Sequence, residues 1–93
     1  MQSGIDRRLM AWLKDGPYRV SILKILRDAP MLSSELANKI QTHRSSTSRV
    51  LKKLKEKNLI NGASRNSRTV EYSLTPKGRI YLERLTSELH NTK

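Results

Sequence analysis

The segment that most limits how this chain can fold covers residues 36–60, LANKIQTHRSSTSRVLKKLKEKNLI. It reads as two short helices joined by a tight turn. On a wheel of about 100° per residue, the α-helical period, Thr47, Val50, Leu51 and Leu54 fall in one arc. Arg44, Ser45, Ser48, Arg49 and Lys52 fall in the arc opposite. One face can therefore be buried against a core. The other carries short hydroxyls and long cations, the side chains that reach phosphates and base edges. The pattern predicts a DNA-recognition helix over residues 44–57.

Charge supports that expectation. The chain of 93 residues has a formal net charge of +11, and the excess is concentrated. Residues 1–38 carry six basic and four acidic side chains, residues 39–70 nine and one, and residues 71–93 four and three. A cationic segment in an otherwise nearly balanced chain is the electrostatic footprint of a polyanionic partner. A merely solvated charged face is the bland alternative, but here the charge coincides with the Ser/Arg arc. Leu, Ile, Val and Phe make up 22 of the 93 residues. That is enough for one small core and argues for a single domain whose missing burial is often supplied by a partner.

Several functions are excluded or disfavoured. The chain has no cysteine, so disulfides and thiolate metal sites are out. His43 and His90 lie far apart with no carboxylate cluster beside them, so neither a metal nor a cofactor is expected. Paired carboxylates, a nucleophile–base pair and a Gly-rich phosphate loop are all missing, which argues against an enzyme. No stretch approaches the roughly 18 apolar residues of a membrane span. Asp6, Arg7 and Arg8 interrupt any signal-peptide core, so a cytoplasmic, nucleoid-associated protein is expected.

Around the central segment the chain reads as follows. Ile5, Leu9, Trp12 and Leu13 predict a first helix over residues 3–14, capped by Ser3 and stopped by Asp15-Gly16-Pro17, with Gly16 in a left-handed cap. Trp12, the only tryptophan, either packs within the monomer or sits at a subunit interface. Pro17 can open a second helix whose apolar face is Val20, Ile22, Leu23, Ile25, Leu26 and Ala29. Pro30 forces an exit, and Met31-Leu32 can form a very short strand. Ser33 or Ser34 then caps a helix through Ile40, with Gln41-Thr42-His43 as the turn and His43 as the next N-cap. Asn58 suits the left-handed residue after the recognition helix. Residues 59–63 and 69–74 read as a hairpin, because Val70, Tyr72 and Leu74 alternate with Glu71 and Ser73. Its loop, Ser64-Arg65-Asn66-Ser67-Arg68, is either a solvated tip or a wing that lays arginine along a DNA backbone or into a minor groove. Thr75-Pro76 opens a last helix with the stripe Tyr81, Leu82, Leu85 and Leu89, which packs on its own domain or on a partner chain.

Taken together, SELANKI, then HRSSTSRVLKKLKEKNLI, then SRTVEYSLTPKG resemble the winged helix-turn-helix of MarR/ArsR-like prokaryotic and archaeal transcriptional regulators over residues 17–80. The resemblance implies a mainly α fold with a small antiparallel β-hairpin (α+β). An N-terminal helix (1–16) and a C-terminal helix (75–93) would flank a winged-helix core (17–74). It implies that Arg44, Ser45, Ser46, Ser48 and Arg49 enter the major groove and that Lys52 and Lys53 lie near phosphates. Arg65 and Arg68 would sit on the wing beside Asn66. The chain departs from the family in having Asn58 where glycine is usual and Thr42-His43 in the turn. The function expected is a homodimeric, sequence-specific regulator of double-stranded DNA, dimerised through its terminal helices. The alternatives are a sequence-indifferent architectural DNA-binding protein and a winged helix that binds RNA or protein.

Overall fold

The structure, a computed structural model, describes residues 5–64, 66 and 69–90, with side chains to Ser87. The expectations for Ser3, Arg65, Arg68 and the side chain of Leu89 lie outside the described residues.

Five helices and three short strands follow one another as α1 (Arg7–Asp15), α2 (Arg19–Asp28), β1 (Met31–Leu32), α3 (Ser33–Ile40), α4 (Arg44–Glu56), β2 (Ile60–Ser64), β3 (Val70–Leu74) and α5 (Pro76–His90). The helices pack around a core formed by Leu9 and Leu13 of α1, Ile22, Leu23 and Leu26 of α2, Leu36 of α3, Leu51 and Leu54 of α4, and Tyr81, Leu82 and Leu85 of α5. The hairpin forms where alternation predicts it, with Ile60 opposite Leu74 and Ser64 opposite Val70. The two-residue strand also forms. It pairs with β3, Met31 opposite Tyr72, so the sheet is antiparallel with order β1-β3-β2. This is the winged-helix α+β architecture expected from the sequence, with a third strand added to the hairpin.

The helix ends depart from several expectations, each for a local reason. The first helix begins at Arg7 rather than residue 3, because Asp6 Oδ1 accepts from the Arg8 N–H at 2.9 Å and satisfies an otherwise orphan donor. Gly16 is extended (φ −111°, ψ 148°) rather than left-handed, and the Arg19 side chain runs across it where a Cβ would stand. Pro17 sits in the turn and Tyr18 is the N-cap of α2, so the proline precedes the helix instead of opening it. Ala29, extended after α2, is exposed and takes no part in the core. Neither Ser33 nor Ser34 caps α3. Leu32 is the N-cap, and its N–H donates to Glu35 Oε1 at 2.9 Å.

The C-terminal end of α4 is fixed by two devices. Asn58 takes the left-handed conformation (φ 63°) foreseen for it. The Leu59 N–H reaches back to Leu54 O at 3.0 Å and the Asn58 N–H to Lys55 O at 2.9 Å, the paired bonds of a Schellman cap. Thr75 then ties this corner to α5. Its Oγ1 donates to Asn58 O at 2.7 Å and accepts from the Gly78 N–H at 2.9 Å, the N-cap of α5 with Pro76 in the first position. Gly78 passes so close to Leu59, the residue before β2, that a Cβ there would collide with the Leu59 carbonyl oxygen. The T-P-K-G run is thus a cap followed by a backbone crossing.

The terminal helices use their apolar stripes inside the chain. Tyr81, 2% exposed, accepts a 2.7 Å hydrogen bond on its hydroxyl from the Asp6 N–H, which joins α5 to the start of α1 across 75 residues of sequence. Trp12 is half-buried. The guanidinium of Arg19 lies 4.0 Å and Lys57 Nζ 4.8 Å from its ring centroid, and Arg19 Nη1 donates to the Trp12 carbonyl. Within the chain the ring therefore packs against cations from α2 and from the end of α4.

Two stability measurements check this corner. Gly78→Ala should destabilise the chain by about 2–3 kcal/mol in urea unfolding, because the clash is with backbone rather than a movable side chain. Asn58→Ala should cost about 1 kcal/mol through left-handed strain, whereas Asn58→Gly should leave stability unchanged or raise it.

Candidate nucleic-acid interface

α4 is a helix of 13 residues whose two faces separate as the wheel predicts. Thr47, Leu51 and Leu54 are buried, and Val50 packs against the core from its edge. Thr47 is polar, yet its burial carries little penalty. Its Oγ1 donates to His43 O at 3.0 Å, the same carbonyl that accepts the Thr47 N–H. The buried hydroxyl is thereby satisfied, and the first turn is fastened to the residue that starts it.

The opposite face is open. Arg44, Ser45, Ser48, Arg49, Lys52 and Lys53 are exposed, and Ser46 is half-buried. Among the described residues, none of Arg44, Arg49, Lys52 and Lys53 is held in an ion pair. Their charge is available to an external anion. The preceding turn aims this face outward. Gln41 is left-handed (φ 55°), and the Thr42 N–H reaches Ala37 O at 3.2 Å, so α3 ends in the same type of cap as α4 without a glycine. His43 occupies the N-cap with extended backbone (φ −72°, ψ 150°), but its imidazole makes no capping bond. Sequence reasoning placed His43 correctly and missed Gln41, whose side chain gives no hint of a left-handed backbone.

The helix, the helix before it and the sheet meet at one concavity. A cleft of about 380 Å³ is lined by Leu32, Ser33 and Ser34 at the start of α3, Arg44 and Ser48 of α4, and Thr69 and Val70 where β3 begins. Four hydroxyls and one guanidinium from three elements thus border the same space. The serines that fail as caps line this cleft. At the hairpin tip Asn66 is exposed, and its Oδ1 accepts from the Thr69 N–H at 3.1 Å, so part of its hydrogen-bonding capacity shapes the turn. Among the described residues no three of His, Cys, Asp and Glu are grouped so as to hold a metal ion, and no helix is long and apolar enough to cross a membrane.

Comparison with known proteins places this arrangement. No protein with a curated description matches the chain. Among solved structures, BldR, a transcriptional regulator from Sulfolobus solfataricus, is 32% identical over 77% of this chain and 53% of its own, with a TM-score of 0.69. ZitR of Lactococcus lactis, a zinc-responsive MarR family member, has been solved in complex with DNA. In that form it is 25% identical over 78% of this chain and 51% of its own, with a TM-score of 0.66. HlyU from Vibrio cholerae N16961 covers 91% of this chain and 94% of its own, with a TM-score of 0.73; at 23% identity it attests the fold alone. The chain spans about half the length of BldR and ZitR. A family model, the HVO_A0261 N-terminal domain, matches residues 7–92, nearly the whole chain. The chain belongs to the HVO_A0261 N-terminal domain family, and its fold is the winged helix-turn-helix of MarR-like regulators.

Proposed function

We propose that the protein is a homodimeric, sequence-specific regulator that binds double-stranded DNA, with α4 in the major groove and residues 64–68 against the backbone or minor groove. The observation that carries this reading is the open face of α4, where exposed serines and unpaired cations stand on a rod whose other side is locked into the core. A B-form major groove accepts an α-helix of this kind. In this reading Arg44 and Arg49 supply the forked donors that suit guanine, and Ser45, Ser46 and Ser48 supply short hydroxyls for base edges and phosphates. Lys52 and Lys53, further along the helix, neutralise phosphates and release counterions. Arg65, Asn66 and Arg68 belong to the wing. ZitR, which has been solved with DNA bound, supports the reading by similarity.

A dimer would set two such helices about 34 Å apart, one turn of duplex, over a pseudo-palindrome. The stripes Leu9, Leu13, Tyr81, Leu82 and Leu85 are already used in the monomer's core. Pairing through the terminal helices would therefore engage their outer faces, where Ile80 is 53% exposed. Occlusion of a promoter and recruitment of polymerase are both compatible with this geometry.

Selection of bound sequences from a random duplex pool, followed by titration of variants, tests the proposal. Arg49→Ala should weaken binding to the selected site by about fivefold or more, corresponding to roughly 1–3 kcal/mol of base discrimination, and weaken random duplex less. An equal loss on both duplexes would remove its base-reading role. Lys52→Ala should weaken all duplexes alike and flatten the log–log salt dependence by about one unit. If selection yields no preferred sequence, the protein is a sequence-indifferent DNA binder and the regulator reading fails.

A further inference from the structure

Trp12 lies outside the proposed DNA face, yet it touches the recognition helix. Lys57, the C-cap residue of α4, sends its ammonium over the indole, 4.8 Å from the ring centroid. Arg19, at the start of α2, covers the ring at 4.0 Å and holds the Trp12 carbonyl through Nη1. All three residues are half-buried, in contrast to the exposed Lys52 and Lys53. Partial desolvation strengthens a cation–π contact. One indole therefore gathers cations from two other helices, and one of these cations marks the end of α4.

We infer that Trp12 is a positioning residue for the recognition helix and that Lys57, although it belongs to the basic segment, is withheld from DNA to serve as its handle. The inference rests on the DNA-binding reading above. The buried stripe Thr47, Leu51 and Leu54 fixes the rotation of α4 about its own axis. Its tilt is governed by the C-terminal corner, where Asn58 is tied to Thr75 on one side and Lys57 to Trp12 on the other. Thirteen residues at 1.5 Å each make a lever of about 20 Å. A tilt of about 5° at the corner would carry Arg44 and Ser45 roughly 1.7 Å. That exceeds the spread of N–H···O distances that a base contact tolerates. The corner thus sets the alignment of the reading face from its far end. The energy of the clamp caps its effect, and one partly desolvated cation–π pair corresponds to about two- to fivefold in affinity.

The test titrates wild type, Lys57→Met, Lys57→Arg, Trp12→Leu and the double variant Trp12→Leu/Lys57→Met with the selected duplex across a salt series. Lys57→Met and Trp12→Leu should each weaken binding about two- to fivefold with an unchanged salt slope. The double variant should be no weaker than the weaker single variant, because both remove the same contact. Lys57→Arg should keep wild-type affinity. A slope flattened by about one unit in Lys57→Met would show Lys57 on a phosphate and overturn the inference, as would additive losses or failure of Lys57→Arg to rescue. An independent readout is the Lys57 methylene proton shift in the DNA-free protein. It should lie upfield through the indole ring current and return to its ordinary position in Trp12→Leu. An ordinary shift in wild type would mean that the clamp does not exist. An upfield shift in a wild-type protein that binds no duplex would instead sink the DNA reading, and the positioning role with it.

Discussion

The structure depends on the burial of one stripe of α4. Thr47, Leu51 and Leu54 are almost fully enclosed, and the last two belong to the core cluster to which every other helix contributes leucines. Removing a buried leucine from such a site typically costs about 2–5 kcal/mol, a large share of a small domain's stability. Because the stripe cannot turn away from the core, the opposite arc cannot turn toward it. The exposure of Arg44, Ser48, Arg49 and Lys52 is thus enforced by leucines rather than by any property of the polar residues themselves. Thr47 extends the constraint to the first turn, since its hydroxyl satisfies itself on His43 O.

The helix ends turn that constraint into a defined direction. Two Schellman caps, at Gln41 and Asn58, bracket the turn before α4 and the corner after it. Thr75 connects the second of these to α5, and Gly78 lets α5 cross the backbone of Leu59. The Asp6–Tyr81 hydrogen bond closes the outer layer by joining the first helix to the last. The same chain that forms a platform for α4 therefore encloses its own core, which gives the terminal helices a role whether or not a second copy is present.

Much of this was legible because it is periodic. The split of α4 into two faces, the alternation of Val70, Tyr72 and Leu74, the strand at Met31-Leu32, and the Thr75-Pro76 start of α5 all follow from spacing or from local turn chemistry. The exposure of Arg44, Ser45, Ser48, Arg49, Lys52 and Lys53 was readable for the same reason. What escaped depends on partners distant in sequence or on backbone choices that side chains do not announce. Ser33 and Ser34 are better cap formers by residue type than Leu32, which nevertheless holds the N-cap of α3. Gly16 looked like a left-handed stop, yet the chain there is extended with Arg19 across it. Gln41 has no sequence signature for its conformation. Trp12 could be flagged as an aromatic needing a partner, but its cations come from positions 19 and 57, which only the packing of α1, α2 and α4 brings together.

The most direct test of the account is a map of backbone amide shifts as the protein is titrated with its selected duplex. The account predicts saturable changes concentrated on Arg44, Ser45, Ser48, Arg49, Lys52 and the neighbouring Thr69 and Val70, with the buried Leu54 and Leu82 little affected. Changes confined to α1 and α5, with the exposed face of α4 unmoved at saturation, would contradict it.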